Sequence, residues 1–200
     1  METINSEGTK KRKAEHSILP VILGRWSPRA LSGEDVPDSE LMPLFEAARW
    51  APSSYNNQPW RFIYAKKGTP EWNRFFNLLA EGNKGWAGKA SVLVVIASLK
   101  NFEFNGKPSS THKFDTGAAW QNLALEAGSR NIVAHGMEGF DHEKARKELE
   151  IPEDYTVEAM VAIGRRGDKE GLPDWAKQAE IPSPRKPITE FVMQGKFKKK

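Results

Sequence analysis

The spacing of apolar residues predicts a chain in which helices alternate with strands. Helical spacing indicates four helices, near residues 38–50, 69–80, 114–129 and 141–149. Four segments are typical of strands, namely 61–65, 92–97, 131–134 and 158–163. The run at 92–97 is apolar throughout, as expected of a central strand that is buried on both faces. Such alternation predicts helices packed in layers on a sheet.

The two ends of the chain lack this pattern. Residues 1–17 are highly charged and contain no apolar signal-peptide core, so we expect a flexible, basic N-terminal arm. From residue 172 onwards prolines are frequent and apolar residues are few, which predicts an extended C-terminal arm over 172–200. The predicted organisation is therefore one domain, residues 18–171, between two arms.

Composition leaves open whether this domain completes its core alone. A chain of 200 residues usually forms one domain and buries roughly 70% of the surface of the unfolded chain. Only 38% of the residues are hydrophobic and the mean hydropathy is −0.62. Either the arms are well solvated or a partner finishes the core.

Several classes of protein are excluded by what the sequence lacks. There is no cysteine, which excludes disulfides, thiolate-held iron–sulfur clusters and catalytic thiols. The longest apolar run is far shorter than the ~20 residues of a membrane span. No metal-ligand spacing is present, and we expect a soluble, cytoplasmic protein without a metal site.

The formal charge of +4 is concentrated at the ends of the chain. Basic clusters occupy residues 10–13 and 196–200. Basic tails can bind nucleic acid, but no zinc-finger, RNP-like or basic-heptad pattern accompanies them. A solvated terminus is the commoner explanation, and a nucleic-acid partner is not expected.

Three polar residues alternate near the start of the domain. In an extended backbone Arg25, Ser27 and Arg29 point to the same side. Two guanidinium groups and a hydroxyl suit a phosphate or another oxygen-rich group. A solvated edge strand would give the same pattern, so the residues alone leave both interpretations open.

The most distinctive stretch is residues 49–62, between the first helix and the first strand. Pro52 and Pro59 keep it out of helical conformation. Between them lie Ser53, Ser54, Asn56, Asn57 and Gln58, which can all form hydrogen bonds. This polar loop, framed by aromatic residues, could hold a flat ligand with polar edges, or it could be an ordinary turn.

A third polar segment precedes the predicted helix at 141–149. Gly139 and the start of that helix place free backbone N–H groups together, which suits an anion or an electron-rich ring edge. No pattern in the chain indicates acid–base or nucleophilic catalysis by side chains. If the protein is an enzyme, a cofactor has to carry the reaction.

Together these motifs resemble the FMN-dependent nitroreductase family, from about residue 22 to 191. The resemblance rests on Ala51-Pro52-Ser53-Ser54 with Asn56 and Gln58-Pro59-Trp60, on Arg25-Trp26-Ser27-Pro28-Arg29, and on Glu138-Gly139-Phe140-Asp141. It implies an α+β fold with three α-β-α layers, a mixed central sheet and an intertwined homodimer with FMN at the interface.

The resemblance also implies which residues bind FMN. Arg25 and Ser27 would hold the phosphate and ribityl end, and Arg29 would reach the ring. The C-terminal arm would wrap the partner subunit and return a cation, Arg185 or Lys186, to the phosphate. Backbone amides at 138–139 would lie against the flavin. The implied cofactor-binding residues are Arg25, Trp26, Ser27, Arg29, Pro52, Ser53, Ser54, Asn56, Gln121, Met137, Glu138, Gly139, Arg185 and Lys186.

The function implied is hydride transfer from NAD(P)H to nitro compounds, quinones or similar acceptors by a ping-pong mechanism. A specialised relative, such as a dehalogenase, an enone reductase or a flavin-destroying enzyme, is one alternative. A flavin-binding protein without turnover and a nucleic-acid binder that uses its basic tails are others.

Overall fold

The computed structural model describes residues 3–199, and its centre is a four-stranded sheet. Its strands, in spatial order, are β1 (Trp60–Lys66), β2 (Val92–Leu99), β4 (Tyr155–Arg165) and β3 (Ile132–Met137). All three pairings are antiparallel, because each strand runs opposite to its neighbour. The prediction of a mixed sheet is therefore wrong for the described chain. Predictions that concern residues 1, 2 and 200 lie outside the described range.

Helices cover both faces of this sheet. In chain order they are α1 (Ile4–Lys11), α2 (Pro20–Gly24), α3 (Asp38–Arg49), α4 (Trp72–Phe76), α5 (Glu81–Ala87), α6 (His112–Ser129), α7 (His142–Glu148) and α8 (Asp174–Gln178). Within the described range none of them is both long and apolar enough to cross a membrane.

Strand β2 separates two apolar clusters because its side chains alternate between the faces. Val92, Val94 and Ile96 pack with buried residues of α3 and α6. Leu93 and Val95 pack on the other face with buried residues of α4, α5 and α7. Every residue of β2 is buried, as its unbroken apolar run predicts. The three-layer prediction is therefore confirmed.

The helix predicted at 69–80 is wrong in extent. Thr69 closes a turn, since its hydroxyl donates to the carbonyl oxygen of Lys66, and the helix covers only Trp72–Phe76. Helix α5 then forms although it contains Gly82 and Gly85, residues that favour a loop. Trp86 is buried there, and its burial outweighs the low helix propensity of the glycines.

The ends of the chain are also more structured than expected. Residues 4–11 form helix α1 rather than a disordered arm, and Ile4 is buried in the core. The C-terminal segment contains α8 and a 3₁₀ turn, Ile188–Glu190, so it is extended only in part. It lies against its own chain, where the Ile188 N–H donates to Glu15.

Candidate functional site

The alternation of polar residues after α2 is confirmed. Arg25, Ser27 and Arg29 are half-buried, whereas Trp26 and Pro28 between them are buried. The three polar residues line one cavity of about 310 Å³. Within it an Nη1 of Arg25 donates to the hydroxyl of Ser27 over 3.3 Å. The extended backbone therefore gathers both cations on the same side.

The backbone of this segment is held in place by hydrogen bonds to Glu180. Its carboxylate, buried in the core, accepts hydrogen bonds from the backbone N–H groups of Arg29 and Ala30. It also accepts a 2.8 Å hydrogen bond from Arg166. Three groups thus share one carboxylate, and the backbone that carries Arg29 is held in place.

Residues from both ends of the chain complete the cavity. Of the two C-terminal cations, Arg185 lines it and Lys186 does not. Arg12, which directly follows α1, lines it too. Arg12 stands in a basic run that by itself indicates a solvated arm, so no local pattern marks it as a site residue.

The electrostatics of this cavity favour an anion. Its lining includes four arginines, Arg12, Arg25, Arg29 and Arg185, and no carboxylate from residues 3–199. Burial and the charge of Arg185 lower the pKa of the Arg25 guanidinium. Burial, with the charges of Arg185 and Arg25, also lowers the pKa of Arg12. An anionic group bound among these cations would reverse the effect of the mutual repulsion.

A neutral histidine forms another part of the wall. His135 on β3 lines the cavity, and its Nδ1 lies 2.9 Å from the carbonyl oxygen of Pro28. Burial lowers the pKa of His135 to about 4, and Arg29 contributes to the lowering. The neutral ring donates from Nδ1, because a carbonyl only accepts, and keeps an acceptor lone pair at Nε2.

The 52–59 loop lies at a different cavity. Its Tyr55, Asn56, Asn57 and Gln58 line a space of about 370 Å³ together with residues of the neighbouring loop. That lining shares no residue with the arginine cavity. A single chain therefore does not bring the two predicted groups of FMN-binding residues into one cavity.

Hydrogen bonds hold the loop in an unusual backbone conformation. Tyr55, Asn56 and Gln58 have φ values of 52°, 54° and 48°, in the left-handed region that non-glycine residues seldom adopt. The Ser53 hydroxyl accepts from the Gln58 N–H, and the buried carboxylate of Asp115 accepts from the Ser54 N–H at 3.0 Å. This strained arrangement is typical of functional loops.

The remaining predicted residues lie on β3, on α6 and in the loop after β3. Met137 is buried at the end of β3, whereas Glu138 and Gly139 are exposed. Neither of these exposed residues donates its backbone N–H to an acceptor within the described chain. Gln121 is exposed on α6. The N–H groups at 138 and 139 are therefore available to a ligand.

A serine, a histidine and a glutamate also meet at the end of β2. The buried Ser98 hydroxyl lies 2.7 Å from His112 Nδ1 and donates to Glu158 over 2.5 Å. Because its proton goes directly to the carboxylate, the histidine does not act as its base, and the group is not a nucleophilic triad.

Comparisons with protein families, solved structures and curated proteins agree on one family. The model described as Nitroreductase family matches residues 22–165. A solved structure named as an oxidoreductase containing FMN is 44% identical, covers 94% of this chain and 97% of its own, and superimposes with a TM-score of 0.91.

Two curated relatives agree with this match. One is an NADH dehydrogenase of Thermus thermophilus, which is 28% identical and covers 78% of this chain and 93% of its own length. The other is an Archaeoglobus fulgidus protein with the provisional name NADH dehydrogenase/NAD(P)H nitroreductase, which is 28% identical over 76% of this chain and 86% of its own.

Proposed function

This chain belongs to the nitroreductase family, and from that premise we propose that it is an oxidoreductase that binds FMN and transfers hydride from NAD(P)H to nitro compounds, quinones or similar acceptors. The solved relative that contains FMN, 44% identical over nearly the whole chain, supports the choice of cofactor. The names of the curated relatives support NAD(P)H as the reductant.

One observation carries the proposal: four arginines converge on a cavity to which the described part of the chain contributes no carboxylate. A phosphate monoester is close to a dianion at neutral pH and pairs well with guanidinium groups. The hydroxyl of Ser27, on the same side of the backbone as Arg25 and Arg29, lines this cavity as well. These residues fit the phosphate end of FMN.

Other residues of the chain would hold and orient the ring of the cofactor. We assign this role to Pro52, Ser53, Ser54 and Asn56, to Gln121, and to Met137, Glu138 and Gly139. Ser53 and Ser54 are held in place by the hydrogen bonds of their loop, and the N–H groups of 138 and 139 are free to donate. Once bound, FMN would supply the hydride chemistry, accepting from NAD(P)H and donating to the second substrate in separate half-reactions.

The site requires two chains in this proposal. The arginines and the 52–59 loop line separate cavities of one chain, so a second copy has to bring the loop to the arginines. Phe114 on α6 is 80% exposed, and Phe191 and Phe197 of the C-terminal segment are exposed as well. These exposed aromatic side chains could be buried in the contact with the second copy.

The experiment is to purify the protein, record its absorbance spectrum and add NADH or NADPH without oxygen. We expect a yellow protein that bleaches and then reduces a nitroaromatic or a quinone, with parallel double-reciprocal plots. A yellow protein that ignores both nicotinamides would instead favour flavin storage. Protein that cannot be loaded with FMN would overturn the proposal.

A further inference from the structure

Helix α1 is a structured part of the molecule, although it lies outside residues 22–165 that match the family. Ile4 at its start is 1% exposed, and its N–H donates to the Oδ1 of Asn131 at 2.9 Å. Glu7 forms an ion pair with Arg166 at 3.2 Å. These contacts attach the first turns of α1 to the domain.

The position of α1 is set by a contact between two glycines. A Cβ added to Gly8 would lie 1.9 Å from the carbonyl oxygen of Gly24, so the backbones of α1 and α2 touch where a side chain has no space. The helix ends one turn later, and the N–H of Arg12 donates to the Gly8 oxygen at 3.0 Å. The glycine contact therefore decides where Arg12 lies.

Arg12 connects three backbone segments. Its Nε donates to Ser183 O at 2.9 Å, and its Nη1 donates to Leu23 O and Arg25 O at 3.2 and 2.6 Å. Its Nη2 donates to no atom in the described part of the chain, although the residue lines the arginine cavity. Both N–H groups of Nη2 are therefore available to a ligand there.

The placement of Arg12 is unfavourable unless an anion is present. Among residues 3–199 no carboxylate forms an ion pair with its guanidinium, and burial, together with repulsion from Arg185 and Arg25, lowers its pKa. Backbone carbonyls compensate only part of the lost hydration of a cation. Positive charges collected at one place without counter-charge are typical of sites that bind anions.

We infer that Arg12 is a further cofactor-binding residue, which donates from Nη2 to the phosphate of the flavin, and that α1 closes the phosphate end of the site. The phosphate then fastens α1, the segment after α2 and the C-terminal segment to each other through one guanidinium. This inference rests on the proposed function, because it names an additional ligand of the same cofactor.

The alternative is that Arg12 only ties backbone segments together. In that case its loss would weaken the binding of FMN and riboflavin equally, or would weaken neither. FMN and riboflavin separate the two roles, since they differ by the phosphate alone. Lys11 provides a matched control, because it is the adjacent cation in the chain, is exposed and is not part of the cavity lining.

The experiment measures the dissociation constants of FMN and riboflavin for apoprotein of the wild type, Arg12→Gln, Arg12→Lys and Lys11→Gln. Far-UV circular dichroism and thermal unfolding first establish that each variant folds. We expect Arg12→Gln to weaken FMN by about tenfold or more, the scale of a charge-assisted hydrogen bond, and riboflavin by less than about twofold. Arg12→Lys should lose less FMN affinity, and Lys11→Gln should change neither.

An equal loss for both flavins, or no loss for FMN in Arg12→Gln relative to Lys11→Gln, would overturn the inference and leave the proposed function standing. If the wild type binds neither flavin, the proposed function fails. The binding of inorganic phosphate then tests whether Arg12 binds an anion in the absence of a flavin. A higher midpoint of thermal unfolding with phosphate in the wild type but not in Arg12→Gln would support its anion role, and equal shifts would refute it.

Discussion

The carboxylate of Glu180 accepts two hydrogen bonds from the backbone N–H of Arg29, at 2.9 and 3.1 Å, across 151 positions of sequence. The same carboxylate pairs with Arg166, and both side chains of that pair are nearly inaccessible to solvent. The C-terminal segment thus determines the backbone of the residues that form the arginine cavity.

We expect Glu180→Ala to lower the free energy of unfolding by about 3 kcal/mol, because it leaves the buried cation of Arg166 without this partner. Urea unfolding measures the change. The control is Glu170→Ala, whose exposed pair with Lys177 should contribute less than about 0.5 kcal/mol. Equal effects of the two substitutions would contradict the structural role of Glu180.

Arg25→Ala should weaken the binding of FMN by about 1.5–3 kcal/mol, the scale of a charge-assisted hydrogen bond. Titration of apoprotein with FMN, followed by flavin fluorescence, gives the dissociation constant. Arg74→Ala removes an exposed arginine of α4 that does not line the arginine cavity, and should have no effect. Unchanged FMN affinity in Arg25→Ala would refute its phosphate role.

Stability should fall in acid because of His135. Its pKa is about 4 in the folded protein and near 6.5 in the unfolded chain, so between these values the unfolded state binds more protons. The free energy of unfolding should therefore fall by about 3 kcal/mol as the pH drops from 6.5 to 4. Urea unfolding across this range should show a smaller decrease for His135→Gln.

The matched control for His135 is His16→Gln, because His16 is exposed. This variant should retain the pH dependence of the wild type between pH 6.5 and 4. If His135→Gln also retained it, burial of a neutral imidazole would not be the cause of the acid sensitivity.

Gly8→Ala should destabilise the protein by about 2 kcal/mol, since the added methyl group forces α1 away from Gly24. Gly82→Ala in α5 has nothing within 4 Å of the new Cβ and should be neutral or slightly stabilising. Urea unfolding compares the two, and limited proteolysis reports whether α1 has been released. A stabilised Gly8→Ala would contradict the close contact of the two helices.

Glu150 offers a stabilising substitution. It follows α7 with a φ of 53°, where glycine is favoured, and the next N–H donates back to Arg146 O. Glu150→Gly should raise the free energy of unfolding by about 1 kcal/mol. Glu148→Gly, inside α7, should lower it by about 1 kcal/mol. The midpoint of thermal unfolding should rise for Glu150→Gly and fall for Glu148→Gly. Shifts of the same sign would contradict backbone strain at Glu150.

Local patterns of sequence predicted much of the fold and part of the site. The apolar run of β2 and the alternation of Arg25, Ser27 and Arg29 depend on neighbouring residues alone, and the structure confirms both. Contacts between residues that are far apart in the sequence leave no such local pattern. Helix α5 forms because Trp86 is buried by other elements, which outweighs two glycines that favour a loop.

The unpredicted site residues have the same explanation. Arg12 belongs to the cavity only because Gly8 meets Gly24, and no local pattern reveals a contact between two separate helices. His135 is neutral because the fold buries it, whereas a single histidine in a short strand carries no signal of this. Pairing of Glu180 with Arg29 spans most of the chain and is equally invisible in sequence.

The segment that follows α1 and the segment that follows α8 contact each other, through Arg12 with Ser183 O and through Glu15 with the Ile188 N–H. Arg12 and Ser183 also line the arginine cavity. A truncation that removed either segment would therefore take away part of the cavity wall, and the full chain is the appropriate material for measuring cofactor affinity.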